Sequence, residues 1–369
     1  FILDKITRPT VLEVNLDNFK YNIEQIKRFL NKDTKIMPVI KANGYGTYIN
    51  TRLDIINDFD IVAVAIVDEG ADLRKIGYKK DIFVLNPPST TEIEKIETNN
   101  LIIGISSNEF LEEVKNRNVK IRVHVEIETG MGRTGVELKK LDEFIKKIKE
   151  NPNIKVEGVY THLSSADEDF EYTKEQLEKF DKAVEKVKKE FNIKYIHCLA
   201  SNGIINFSKS QYNLVRPGII MYGYESGKGI KEKIDLKPTC KLKSKIVFIK
   251  EVEKGISISY GRRFITKRKS KIATVPIGYA DGLRRVLSNV GRVVINGQKM
   301  PIIGSICMDS FMVDVTDSEN VKIGDEVYIW DNENITLEEV ANKCDTINYE
   351  ILSTISSRVP RKFINELDK

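Results

Sequence analysis

The feature that most constrains this chain is a rhythm. Eight short runs rich in valine and isoleucine, at 36–40, 61–66, 82–85, 101–105, 120–127, 156–161, 194–199 and 213–220, alternate with stretches of helical periodicity. Runs that are apolar on both faces read as buried parallel strands, and parallel neighbours need helical crossovers. The helical spacing is clearest in 137–150, where Leu138, Leu141, Ile145 and Ile148 recur. It is clear again in 173–191, where Leu177, Phe180, Val184, Val187 and Phe191 follow a Thr173/Gln176 capping box. A further helix is expected near 18–30, with Asp17 as its N-cap. Eight strands in this alternation predict an α/β chain that opens as a (β/α)8 barrel.

Near residue 236 the rhythm changes. Segments at 242–250, 270–277, 291–296, 311–316 and 322–330 read as strands divided by the turn signals Lys254-Gly255, Asn296-Gly297 and Gly324-Asp325, with one short helix near 336–343. A chain of 369 residues exceeds one ordinary core. Two domains are therefore expected: a barrel over 10–235 and a mostly β domain over 236–369, with residues 1–9 associated with the latter.

The 59 basic and 54 acidic residues leave a net charge of +5 and are mixed along the chain, which argues for a solvated surface and against a nucleic-acid footprint. No apolar run reaches the length of a bilayer span, and no signal-peptide pattern opens the chain, although its start at Phe1 leaves an upstream segment open. Cys198, Cys240, Cys307 and Cys344 are scattered without a CxxC pair, as expected of reduced thiols in the cytoplasm and not of a disulfide framework or metal site.

Barrel enzymes place their chemistry at the C-terminal ends of the strands. Lys41 ends the first strand in PVIKANGYG, Arg133 follows the fifth in TGMGRTG, and His162 ends the sixth in VYTHLSSADE. Ser201 and Asn202 follow the seventh, and Arg216 lies in the eighth, in VRPG. A desolvated lysine at such a rim can form a Schiff base. The turn at Ser201 opens a helix where barrels hold phosphates, and Gly218 lets backbone approach the same anion. Lysine plus phosphate site suggests pyridoxal 5'-phosphate (PLP). Taken singly, each residue has a plain structural use, as surface lysine, bonded histidine, ion-pair arginine or helix cap. Their joint placement on one rim points to chemistry.

The blocks RPTVLEVNLDNFKYN, VIKANGYG, VEIETGMGRTG, THLSSADE, LVRPGIIMYG, SYGRRF, ATVPIGYADG, GSICMDSFMVDV and SSRVPR stand in the order found in alanine racemases, and the chain resembles that family from about residue 8 to 363. The resemblance implies a (β/α)8 barrel with a β domain, PLP as cofactor, a small amino-acid substrate, and a homodimer with shared sites. It implies interconversion of L- and D-alanine, which supplies D-alanine for peptidoglycan. Lys41 would hold PLP and act as base for the D-enantiomer, and Tyr260 would be the base for the L-enantiomer. Tyr45, Ser201, Gly218 and Ile219 would hold the phosphate. Arg216 would face the pyridine nitrogen, and His162 would link Arg216 to Tyr260. Arg133 and the Met308 N–H would place the substrate carboxylate, with Tyr279 and Asp309 completing the pocket.

The chain departs from the family pattern at Thr47, Ser305, Ser310 and Ser357, and at Glu126, which stands where many relatives carry a carbamylated lysine. If Glu126 takes over that charge, it should accept bonds from Arg133. Three competing readings differ in their product from L-alanine. A PLP decarboxylase would release CO2, but its Gly-rich phosphate loop and Cys-Asp motif are missing from the sequence. A PLP-binding homeostasis protein would give nothing, and such proteins usually lack a β domain. The soluble domain of a membrane-bound serine racemase would prefer L-serine.

Overall fold

The computed structural model describes residues 6–225, 227, 229 and 233–365, which form two compact units. One comprises residues 21–44 and 48–236, and the other residues 1–20, 45–47 and 237–369. This division is more interleaved than a single boundary near 236. The strand Val11–Asn15, placed by sequence in the barrel segment, pairs with Cys240–Lys245 and Arg361–Ile364 in the β unit. Of the residues 1–9 assigned to the β domain, 1–5 lie outside the described residues.

The first unit is the expected barrel. Parallel pairing runs from Ile61–Val64 through Asp81–Val84, Ile102–Ile105, Ile121–Glu128 and Ile154–Tyr160 to Tyr195–His197. Leu214–Val215 pairs with Lys35–Ile36, and parallel bridges at Val39/Ala63 and Ala200/Arg216 close the ring of eight. The strands form because both faces are buried: Ile61, Val62, Ala63 and Val64 are all inaccessible. The helices return the chain between them and bury one stripe each, as Leu141, Phe144, Ile145 and Ile148 do in Leu141–Lys149.

Two helix starts differ from the sequence reading. The helix Leu16–Lys27 begins earlier than expected, and Asn15 Oδ1, not Asp17, accepts the Asn18 N–H at 2.9 Å. The long helix Phe170–Glu190 is capped by Asp169, which accepts from Tyr172 N–H. Thr173 and Gln176 are a turn inside it and buried, and Gln176 instead takes the Ser164 N–H and donates to Thr129 Oγ1 and the His162 carbonyl.

The second unit centres on a nine-stranded sheet ordered 248–252, 270–275, 311–314, 298–303, 292–295, 326–330, 240–245, 11–15 and 361–364. The expected strand at 242–250 is two, Cys240–Lys245 and Phe248–Val252, and Gln298–Ile303 and Arg361–Ile364 were not foreseen. Asn296-Gly297 does form a two-residue hairpin, with φ of 50° and 76°, as its sequence signals. The predicted helix is Leu337–Lys343, capped by Thr336, and a second one follows at Asn348–Ser353.

Candidate active site

Along Ile121–Glu128 the odd residues face the helices, while His124 and Glu126 point the other way. The barrel interior is filled by rings: Phe83 stacks on His124 at 4.7 Å, Tyr160 on His197 at 5.0 Å, and Phe83 meets Tyr160 edge-on. Gly104 leaves room for the Tyr160 hydroxyl, since a Cβ there would lie 2.1 Å from it.

Arg216 organises the polar part of this interior. It is 2% exposed, and it donates from Nη1 to His197 Nδ1 at 2.7 Å and from Nη2 to the Thr161 carbonyl at 2.9 Å and His162 Nδ1 at 3.1 Å. Among the described residues it makes no salt bridge, in contrast to Arg122, which pairs with Asp81 and Glu157. A guanidinium only donates, so both imidazoles must present an unprotonated Nδ1. His197 therefore carries its proton on Nε2 and gives it to His124 Nδ1 at 2.9 Å; His124 in turn holds a proton on Nε2, which is buried without a partner. All three histidines of the chain thus belong to one neutral set. Burial is the main cause that pushes His124 and His162 down to about 3 and holds His197 well below the usual range; Arg216 adds to it at all three, and Glu157 opposes it at His124.

Lys41 follows the first strand and is half-buried. Burial first, then Arg133, lowers its amine from the usual lysine range; Glu69 pulls it back up and Arg216 pushes it down again. The next three residues are left-handed: Ala42, Asn43 and Gly44 have φ of 52°, 55° and 61°. Ser201 opens the helix Ser201–Asn206, and its buried Oγ accepts the Gly218 N–H at 3.0 Å. Ile219 begins the turn that follows and is fully buried. Lys41, Arg133, His162, Ser201, Arg216, Gly218 and Ile219 all belong to the barrel unit.

Glu126 is buried, not solvent-facing, and burial raises its carboxyl. The expected bond from Arg133 is not made. Thr134 Oγ1 donates to Glu126 Oε1 at 2.6 Å, the buried Tyr160 hydroxyl also faces the carboxylate, and Arg133 is exposed and acts on it through charge alone.

Five predicted residues belong to the other unit. Tyr45 is buried there, with its ring 6.0 Å from that of Tyr349. Tyr260, Met308 and Tyr279 are 70%, 52% and 43% exposed. Backbone bonds gather them: Tyr279 N–H reaches the Cys307 carbonyl, Ala280 N–H reaches that of Met308, and Ser305 Oγ donates to the Tyr260 carbonyl. Asp309 pairs with Arg358 at 2.6 Å, and Arg358 also approaches the buried Asp281, which Arg8 holds at 2.8 Å. Arg8, Asp281 and Arg358, like His124, His197 and Glu69, were not singled out from sequence. His124 and His197 lie within the barrel strands Ile121–Glu128 and Tyr195–His197, whose alternation could reveal them.

A closed barrel that carries a deprotonation-prone lysine and a Ser201–Gly218 cradle at its C-terminal rim defines a class: barrel enzymes that work through an activated amine. The family comparisons narrow it. Residues 14–226 match the alanine racemase N-terminal domain and residues 239–363 the alanine racemase C-terminal domain, so the chain belongs to the alanine racemase family of isomerases. The chain is 41% identical to the alanine racemase of Halothermothrix orenii, over 98% of this chain and 99% of that protein. It is 39% identical to that of Methanococcus maripaludis, over 98% and 100%. Among solved structures, alanine racemase from Bacillus anthracis with bound L-Ala-P superposes with a TM-score of 0.93 at 35% identity, covering 99% of this chain and 97% of that one. The Clostridium difficile 630 enzyme gives 0.92 at 37%, covering 98% and 97%. The decarboxylase, homeostasis-protein and serine racemase readings find no support in these relatives. Among the described residues no helix is long and apolar enough to cross a membrane.

Proposed function

We propose that this racemase interconverts L- and D-alanine with PLP held at Lys41, and thereby supplies D-alanine for peptidoglycan. The observation that carries the reading is Lys41 itself, an amine held low by burial and two guanidiniums at the rim that also bears the Ser201–Gly218 pair. The residues suit the cofactor. Lys41 can bond its aldehyde carbon, Ser201 offers a hydroxyl and Ile219 an N–H to a phosphate beside Gly218, whose own N–H holds the Ser201 oxygen in place, and Arg216 is a fixed donor for a ring nitrogen. Tyr45 is assigned to the phosphate by the family pattern alone. When bound, PLP makes the α-proton of an attached amino acid acidic.

The protein's part is to move that proton. Inversion needs removal on one face and return on the other, which suits two bases. Lys41 is assigned as one, and burial with the neighbouring guanidiniums lowers its amine from the usual lysine range, which favours the proton-accepting form. Tyr260 is assigned as the other. His162 accepts from Arg216 through Nδ1, so its N–H lies on Nε2 and can donate to a phenolate. Arg133 and the Met308 N–H are assigned to the substrate carboxylate, with Tyr279 and Asp309 around it; the Arg358 ion pair supports the placement of the Asp309 segment. The exposure of Tyr260, Met308 and Tyr279 on the β unit supports a homodimer in which a second copy completes the site. The scattered cysteines, without a CxxC pair, fit a cytoplasmic setting.

The test is conversion of L-alanine to D-alanine by purified protein with PLP, followed by borohydride reduction and peptide mass analysis. Label on Lys41, and loss of both label and activity in Lys41→Ala, is the expected result. A Lys41→Ala protein with an unchanged cofactor spectrum sinks the assignment.

A further inference from the structure

The backbone that follows Lys41 is one that L-residues avoid. Ala42 (φ 52°, ψ 50°) and Asn43 (φ 55°, ψ 46°) precede Gly44 (φ 61°, ψ 48°) in a left-handed run. Each non-glycine residue there is strained, so the run persists only if its surroundings hold it. Part of the hold is local, from Gly44 N–H to the Ile40 carbonyl at 2.9 Å and Tyr48 N–H to the Asn43 carbonyl at 2.7 Å. A further part comes from a different strand-helix unit. Glu69, third residue of the helix Val67–Lys75, takes the Ala65 and Ile66 N–H groups on Oε2 at 2.7 and 3.3 Å. A glutamate at this position ordinarily serves only its own helix start. Here Oε1 extends to the neighbouring turn and accepts the Ala42 N–H at 2.6 Å.

We propose that Glu69 is a positioning residue for Lys41: it pins the left-handed turn from which the Lys41 side chain departs, and it keeps a negative charge within reach of the amine. The reading of Lys41 as the cofactor-bearing residue gives this its functional sense. The charged groups that act on Lys41 come from separate elements: Arg133 from the loop after Ile121–Glu128, Arg216 from the last barrel strand, Glu69 from the helix Val67–Lys75. Lys41 in turn acts on His162, which is neutral. The two guanidiniums and burial drive the amine toward its neutral form, and Glu69 opposes them. One carboxylate thus limits how far the amine is lowered while fixing where it stands.

Two variants separate the roles. Glu69→Gln removes the charge and turns an amide N–H toward backbone donors; Glu69→Asp keeps the charge but lacks the reach to serve both the helix start and Ala42. The probe is competitive acetylation with acetic anhydride as a function of pH, read on the Lys41 peptide by mass spectrometry in protein freed of PLP. Glu69→Gln should move the midpoint of Lys41 reactivity down by roughly one pH unit, because loss of the anion disfavours the ammonium. Glu69→Asp should restore most of that shift, yet show faster hydrogen exchange over residues 41–48. A Glu69→Gln protein that melts lower but keeps the wild-type midpoint, or a Glu69→Asp protein shifted equally, overturns the proposal. So does an unprotected Ala42 amide in the wild type, which decides the matter even if a variant fails to fold. Borohydride reduction of the wild-type holoenzyme tests PLP attachment separately: absence of label on Lys41 would refute the cofactor reading while leaving the acetylation result standing.

Discussion

The two units treat their functional groups in opposite ways. In the barrel, Arg216, His162 and His197 are enclosed and tied in one hydrogen-bonded set, and Lys41 is half-buried beside a fixed turn. In the β unit, Tyr260, Met308 and Tyr279 stand in the open on a surface held from behind by backbone bonds and by the Arg8–Asp281–Arg358–Asp309 pairs. Preorganised donors are expected where a small charged molecule must be held without rearrangement. Large exposed side chains are expected where another surface will cover them. Under the proposed function, the enclosed barrel groups would need no further ordering, whereas the exposed β-unit groups would wait for a covering surface.

The strongest attempt to break this contrast is complementation. Lys41→Ala and Tyr260→Phe should each be almost inactive alone, because each removes one of two bases. If the β unit of one copy serves the barrel of another, co-folding in equal amounts makes half the dimers mixed, each with one intact site, and activity returns to about a quarter of wild type. Mixed dimers with no recovered activity would mean that both bases come from one chain.

The second test addresses the enclosed histidines. Their folded-state affinities for protons lie far below the unfolded value near 6.5, so the unfolded chain binds protons first as the pH drops. Stability from this source is complete above about pH 6.5 and is lost progressively toward pH 3, at roughly 2 kcal/mol per histidine by pH 5. Thermal melts between pH 7.5 and 5 should show a steep loss that His124→Phe and His197→Phe each make shallower. A flat profile would mean that the set is not neutral in the folded state.

Two smaller effects sharpen the comparison. Gly297, in the β unit, has φ of 76° and open space for 4 Å around the point where an added methyl group would sit, so strain alone opposes a side chain there. Gly297→Ala should therefore cost about 1 kcal/mol in urea unfolding and leave catalysis unchanged. Glu126→Gln can keep the Thr134 bond while removing the negative charge felt by Tyr160, Arg133 and Arg216, so KM for alanine should rise roughly threefold, with no dependence on added CO2. Unchanged KM and kcat would reduce Glu126 to a packing role.

What the sequence could convey follows from what each signal encodes. Period-two and period-3.6 patterns report burial, so the eight strands and the face of Leu141–Lys149 were readable from Val, Ile and Leu alone. The edge strand Arg361–Ile364 was not, because it is only partly buried and carries Arg361 and Lys362. Helix starts were misread where two candidate caps lay within a turn of each other, as Asn15 and Asp17 do, since only geometry decides which oxygen meets the free N–H. Lys41 was visible as a candidate through its strand end. Glu69 was not, because a glutamate three residues into a helix looks the same whether or not it also reaches Ala42.

The chain's single tryptophan, Trp330, is buried in the β unit and donates from Nε1 to the Cys240 carbonyl at 3.1 Å. Its emission is therefore a built-in optical reporter for one half of the molecule. Excitation selective for indole follows the nine-stranded sheet, while the chromophore proposed at Lys41 would follow the barrel. A single denaturation series read at two wavelengths can then reveal whether the units lose their order together or in succession, with no label added to either.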